Sequence, residues 1–150
     1  MAIEWGTTGF KSDMGAVVLD NTGHAPTDVL EAGVPFKIEI KWDIPPALVP
    51  LMNPAGDAFR LRAFAESVGP GQEMQIGATA VVTAVAGAPK YTFVMDVNPN
   101  PLVGEGGVFG GVPVSGVYTI VVVLQHLSSG AATVISGFSE FPKTVMFKLP

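Results

Sequence analysis

The chain has 150 residues, of which 48% are hydrophobic and only 14% charged, where an ordinary domain carries about 25% charged residues. A net charge of −5 and a pI near 4.8 leave no basic footprint for nucleic acid or an anionic membrane surface. The absence of cysteine excludes a disulfide framework, a thiol nucleophile and any thiolate metal site.

At this length the expectation is one domain, 1–150, that buries about two-thirds of its unfolded surface. A mean hydropathy of +0.44 is more than one small core absorbs, and surplus apolar surface marks interfaces. The start of the chain shows neither a basic n-region nor an apolar h-region. No apolar run approaches the ~18 residues of a spanning helix. A cytoplasmic location is the default expectation, with no membrane span.

Along the chain, residues 1–14 are mixed and interrupted by Gly6 and Gly9, and residues 16–20 read as a short first strand. Residues 21–33 follow as a loop of turn formers, including Asn21, Gly23, Pro26 and Gly33. Residues 34–43 hold the cleanest period. Phe36, Ile38, Ile40 and Trp42 alternate with Lys37, Glu39, Lys41 and Asp43, the pattern of a half-buried antiparallel strand. Residues 58–66 alternate again. Residues 73–85 read as one or two strands with a kink at Gly77, and residues 90–97 as another strand. Residues 115–126 are rich in β-branched side chains, without proline or interior charge, and read as the central strand. Ser128, Ser129 and Gly130 form a hairpin turn, residues 132–138 the returning strand, and residues 144–149 close the chain. No helical period is present. The pattern is all-β: an antiparallel sandwich of seven to nine strands.

Ser115-Gly116-Val117-Tyr118 and the Val/Ile run after it resemble the sixth strand of the immunoglobulin-like sandwich, where a tyrosine forms a corner. Phe36-Lys37-Ile38-Glu39-Ile40 resembles its second strand. Ile120 and Ile38 or Ile40 stand about where the bridging cysteines of antibody domains would be, and Trp42 lies on the second strand rather than the third. The likeness is therefore to disulfide-free relatives of fibronectin-III type, and it implies a fold rather than a function.

Motifs that carry chemistry are missing. The two histidines, His24 and His126, are far apart, and each reads as a surface or hairpin residue. Asp20, Asp28 and Glu31 flank a loop but match no calcium-loop spacing, so turn capping is expected. The run from Gly104 to Gly111 lacks the lysine and the following helix of a phosphate loop, and reads as a flexible or tightly turning loop. No cofactor, metal or catalytic residue is assigned.

Two loops stand out. Residues 44–56 combine four prolines with Leu48, Val49, Leu51 and Met52. Residues 98–113 hold Leu102, Val103, Val108 and Phe109 among many Gly and Pro. Solvated linkers do not carry such side chains, and long loops are commonly functional. One reading folds each loop back over an open end of the sandwich; the other presents its apolar side chains to a partner. The expectation is a non-catalytic structural or interaction subunit that binds itself or another protein through these loops, as a ring, filament or other homo-oligomer. The alternative is a sandwich module for a small or carbohydrate-like ligand, with Trp5, Phe64 and Phe109 as its aromatic candidates.

Overall fold

Twelve strand segments follow one another in the computed structural model, which describes residues 2–5, 10–24, 26–27, 29–140 and 145–148, with side chains over 13–24, 26–27 and 29–133. They are β1 (Ala2–Trp5), β2 (Phe10–Leu19), β3 (Val29–Glu31), β4 (Phe36–Asp43), β5 (Asp57–Ser67), β6 (Glu73–Thr83), β7 (Lys90–Val97), β8 (Val108–Phe109), β9 (Val112–Pro113), β10 (Val117–Ser128), β11 (Ala131–Glu140) and β12 (Val145–Lys148).

Two sheets face each other. One runs β6-β5-β10-β11, the other β2-β4-β7, and every pairing within them is antiparallel. β1 bridges β11 to β2, while β12 continues past β11 beside the first residues of β10 and takes β3 as a parallel neighbour. This is the four-on-three arrangement of an immunoglobulin-like sandwich, all-β as the strand rhythm implies.

The sequence pattern explains which face each strand buries. On β4, Phe36, Ile38, Ile40 and Trp42 are all buried, while the intervening Lys37, Glu39 and Asp43 are half-buried and Lys41 is exposed. Ile38 and Ile40 on β4 and Ile120 on β10 have no exposed surface. Trp42 stacks on Tyr91 at 5.3 Å and meets Phe59 edge-on at 5.5 Å, so one aromatic knot ties β4, β7 and β5 together. β10 has partners on both sides. Its alternate residues Tyr118, Ile120, Val122 and Leu124 are fully buried, as expected of a central strand.

Some boundaries differ from the pattern. β2 begins at Phe10 rather than at 16, because its first residues pair with β1 and its last with β4. The expected kink in β6 is a bulge: the register passes from Leu61↔Ala80 to Ala63↔Ile76 around Gly77. Gly77 has φ +66°, and a Cβ there would lie 3.0 Å from Met95 Sδ and 3.1 Å from the Asp96 carbonyl, so glycine alone allows this close approach to β7.

Strand direction fixes the two ends. Phe36 pairs with Val97 and Asp43 with Lys90, so residues 44–56 leave β4 at one end and residues 98–113 leave β7 at the other. The second loop is anchored by a buried polar knot. Gln72 takes the Val103 N–H on Oε1 at 2.8 Å and donates from Nε2 to the Pro101 carbonyl at 2.9 Å. Tyr118 donates its hydroxyl to the Val103 carbonyl at 2.8 Å, 15 residues upstream, which ties β10 to the loop and is a longer reach than the local contact of a tyrosine corner. Asn100 donates to the Val34 carbonyl at 3.1 Å and accepts the Leu102 N–H at 3.1 Å.

Two outcomes are expected. Ile40→Ala, which empties a site with no exposed surface, should destabilise by about 2–5 kcal/mol in urea unfolding. Burial raises the Tyr118 phenol above its usual 10.0. A folded value above the unfolded one means that its contribution is complete below pH 10 and is lost as pH rises through the folded value. Tyr118→Phe should cost about 1–3 kcal/mol at neutral pH, by stranding the partners of the hydroxyl. It should also remove this part of the alkaline loss, read by urea melts across pH.

Candidate functional site: the two ends of the sandwich

At the end bearing residues 44–56, the prolines set a compact loop rather than an extended one. Val49–Leu51 form a 3-10 turn, with Leu48 N–H bonded to the Pro45 carbonyl at 2.8 Å and Leu51 N–H to the Leu48 carbonyl at 3.0 Å. Leu48, Val49 and Met52 are half-buried against the core, while Leu51 is 69% exposed. Asp57 staples the loop from below: its Oδ2 accepts the Asn53 N–H at 2.8 Å, and its Oδ1 lies 2.8 Å from His126 Nε2. The other ring nitrogen lies 3.0 Å from Thr133 Oγ1, and that hydroxyl donates to the His126 carbonyl at 3.2 Å. These three side chains join β5, β10, β11 and the loop, which is a structural use of an Asp–His–Thr trio.

The expectation of a surface or hairpin His126 is corrected: the residue is buried at 5% exposure. β10 continues two residues beyond it, so the inward alternation of Tyr118 to Leu124 carries on to position 126, where the ring packs 5.7 Å from Phe59. His24 is exposed. Asp20 caps its turn by accepting from Thr22 and Gly23, and the Thr22 hydroxyl bond lowers its carboxyl below the ordinary value. Asp28 and the Trp5 side chain lie outside the described residues.

At the opposite end, Leu102 is a core residue at 3% exposure and Val103 is half-buried under the knot. The chain then turns outward. Val108 pairs with Pro113 and Phe109 with Val112 in a two-stranded hairpin, hydrogen-bonded to no other strand among the described residues. Gly110 and Gly111, with φ +61° and +81°, supply the two positive-φ positions of a type I′ turn. Val108 is 60%, Phe109 46% and Val112 45% exposed. Such a hairpin gains little from its own pairing and exposes apolar side chains that nothing among the described residues covers.

Of the eight apolar loop residues singled out in the sequence, the fold therefore seats Leu48, Val49, Met52, Leu102 and Val103 against the body and leaves Leu51, Val108 and Phe109 outside. Val112 and the hairpin itself escaped the sequence reading. Gly110-Gly111 between Phe109 and Val112 is the signal that finds them. A cleft of about 280 Å³ lies beside Leu51's loop, lined by Asp13, Asp43, Ile44, Pro45, Pro46, Pro89 and Lys90. Ile44 N–H bonds to the Pro89 carbonyl at 2.8 Å, which fixes the proline walls relative to each other.

Charge is unequal between the ends. Glu31, Glu66, Glu73 and Glu105 are exposed at the hairpin end, where among the described side chains the one cation, Lys37, is paired with Asp96. At the other, Lys90 lies opposite Asp43 and shares a cleft with Asp13, while Lys41 is paired with Glu39 at 3.4 Å.

No family model matches the chain, and no curated protein matches it. Among solved structures, it is similar to AggA, the major subunit of aggregative adherence fimbriae type I from Escherichia coli. The identity is 10% over 93% of this chain and 95% of that one, with a TM-score of 0.43. It is also similar to a β-glucosidase from Listeria innocua in complex with glucose, at 12% identity over 95% of this chain but 17% of that one, with a TM-score of 0.40. These are likenesses of fold, and no residue's role passes with them. One expectation is corrected: a cytoplasmic default is at odds with a first structural likeness that is to a fimbrial subunit, and it is withdrawn.

Proposed function

We propose that the chain is a non-catalytic structural subunit that assembles with copies of itself end to end. The observation that carries this reading is the pairing of two exposed apolar features at opposite ends of one rigid sandwich: Leu51 on its 3-10 turn, and the hairpin with Val108, Phe109 and Val112. Patches at opposite ends are not both buried by one two-fold contact. A heterologous contact buries both, and repetition gives a ring if the rotation closes or a filament if it does not. With 14% charged residues, the rest of the surface opposes association weakly. The ligand-module alternative wants an aromatic-lined groove, whereas the cleft at the Leu51 end is lined by prolines, Ile44, Asp13, Asp43 and Lys90, and a second cleft between β6 and β7 has one aromatic side chain, Phe93.

Sedimentation of the purified protein should show species that grow with concentration. Leu51→Asp and Phe109→Asp, both at exposed positions, should each stop that growth while leaving the melting temperature within a few degrees of wild type. Mixing the two variants should restore one end-to-end contact and no chain. A wild-type protein that stays monomeric at high concentration would end the proposal.

A further inference from the structure

We infer that the outward face of β6, β5 and β10 is a second interface between copies of this chain, a two-fold contact that sets Glu66 and Glu73 of each copy against Arg62 of the other. It lies along the side of the sandwich and does not depend on the contact between ends.

The distribution of charge on this face carries the inference. Alternation along β5 buries Phe59, Leu61, Ala63 and Ala65 and turns Arg60, Arg62, Phe64 and Glu66 outward. Register places Glu73 of β6 directly opposite Glu66, and both carboxylates are exposed. Like charges in that position destabilise a sheet. The two arginines follow on the same face, and neither has a carboxylate partner among the described residues. Arg60 donates to Gln125, and its Nε is buried without a hydrogen-bond partner. Arg62 lies over the Phe64 ring, 6.0 Å from its centroid. It stands ~13 Å from Glu66 at ~3.3 Å per residue along the strand, too far for the two to pair within one copy. Each copy therefore holds two carboxylates at one end of the face and two guanidinium groups further along it, all without a counter-charge.

A second copy, turned about an axis that crosses the strands at the level of Phe64, supplies the missing partners. Positions equally far on either side of Phe64 then come face to face. Glu66 of one copy stands over Arg62 of the other with Glu73 beside it, and symmetry repeats the arrangement. Between the charges the face is apolar: Val121 lies opposite Phe64, Val123 opposite Arg62, and the exposed Val81 opposite Arg60. An apolar centre with a charged rim is how interfaces are built. Three strands ~4.8 Å apart over the length of β5 offer ~500 Å² per copy, the scale of a weak contact rather than an obligate one.

The test carries Phe109→Asp in every protein, so that contacts between ends contribute nothing. This background should sediment as a dimer at low ionic strength and as a monomer in about 1 M salt, where the Debye length is ~3 Å. At that salt the face is silent, and the apolar contact between ends is read alone in proteins that retain Phe109. Arg62→Glu, and separately Glu66→Arg with Glu73→Arg, should each weaken the dimer ~10-fold or more by setting like charges together. Thermal melting checks that both variants fold. Mixed in equal amounts, they should form a heterodimer as tight as the background dimer, because every reversed charge then meets its opposite. Arg62→Gln, a milder change, should reduce the salt dependence whether or not Arg62→Glu folds. A background that stays monomeric at low salt overturns the inference, as does a salt dependence that Arg62→Gln leaves unchanged. So does a mixture of folded charge-reversed variants that fails to dimerise.

Discussion

The side chain of Gln72 is where this molecule settles how one of its ends is built. Residues 98–107 leave the sandwich before the hairpin pairing of β8 with β9 begins, and burying backbone groups without partners costs about 1–3 kcal/mol each. One amide answers several of them: its oxygen holds the Val103 N–H, its nitrogen the Pro101 carbonyl, and Tyr118 completes the knot from β10. The first half of the loop thereby becomes part of the core, with Leu102 sealed beneath it. The second half is released from that obligation, and it projects as a hairpin from a fixed base rather than as a loose strap. The Gly107 carbonyl receives the Val114 N–H at 2.9 Å and closes that base.

The far end uses a different device for the same purpose. There the prolines remove donors that would otherwise need partners, and Asp57 satisfies Asn53 while also engaging the buried His126. Both ends are thus rigid before any contact is made. Rigidity matters for weak apolar contacts, because ordering a mobile loop on binding costs about 0.5–1.5 kcal/mol for each immobilised side chain.

Much of the fold was legible because strands with one wet face write themselves in period two. β4 and β7 were bounded to within two residues by the alternation of Phe36–Trp42 and Tyr91–Val97. The unequal use of the loop residues was not legible. Leu48, Leu51 and Met52 look alike in sequence, and only the 3-10 turn decides that Leu51 points away while its neighbours seal the core. His126 was obscured by the opposite effect: its polarity suggested a strand end, whereas β10 runs on and Asp57, 69 positions earlier, supplies the partner that makes burial tolerable. The hairpin was partly legible, since two glycines between Phe109 and Val112 encode a type I′ turn, but the density of glycine around it masked that signal.

Sheet edges are the usual route by which β-sandwiches associate, and here the edges are managed while the ends are not. β6 and β7 are the open edges on one side. The bulge at Gly77 folds β6 against Met95 and Asp96 of β7, which interrupts the straight row of backbone groups that edge pairing needs. No comparable device blunts the hairpin: it carries no charge from Val108 to Pro113, its turn is shaped to stand out, and Val108, Phe109 and Val112 are all exposed. A chain that bends one edge against its neighbour, while an uncharged hairpin stands at one end and Leu51 at the other, carries exposed apolar surface at both ends. That placement favours contact between ends over stacking of this edge.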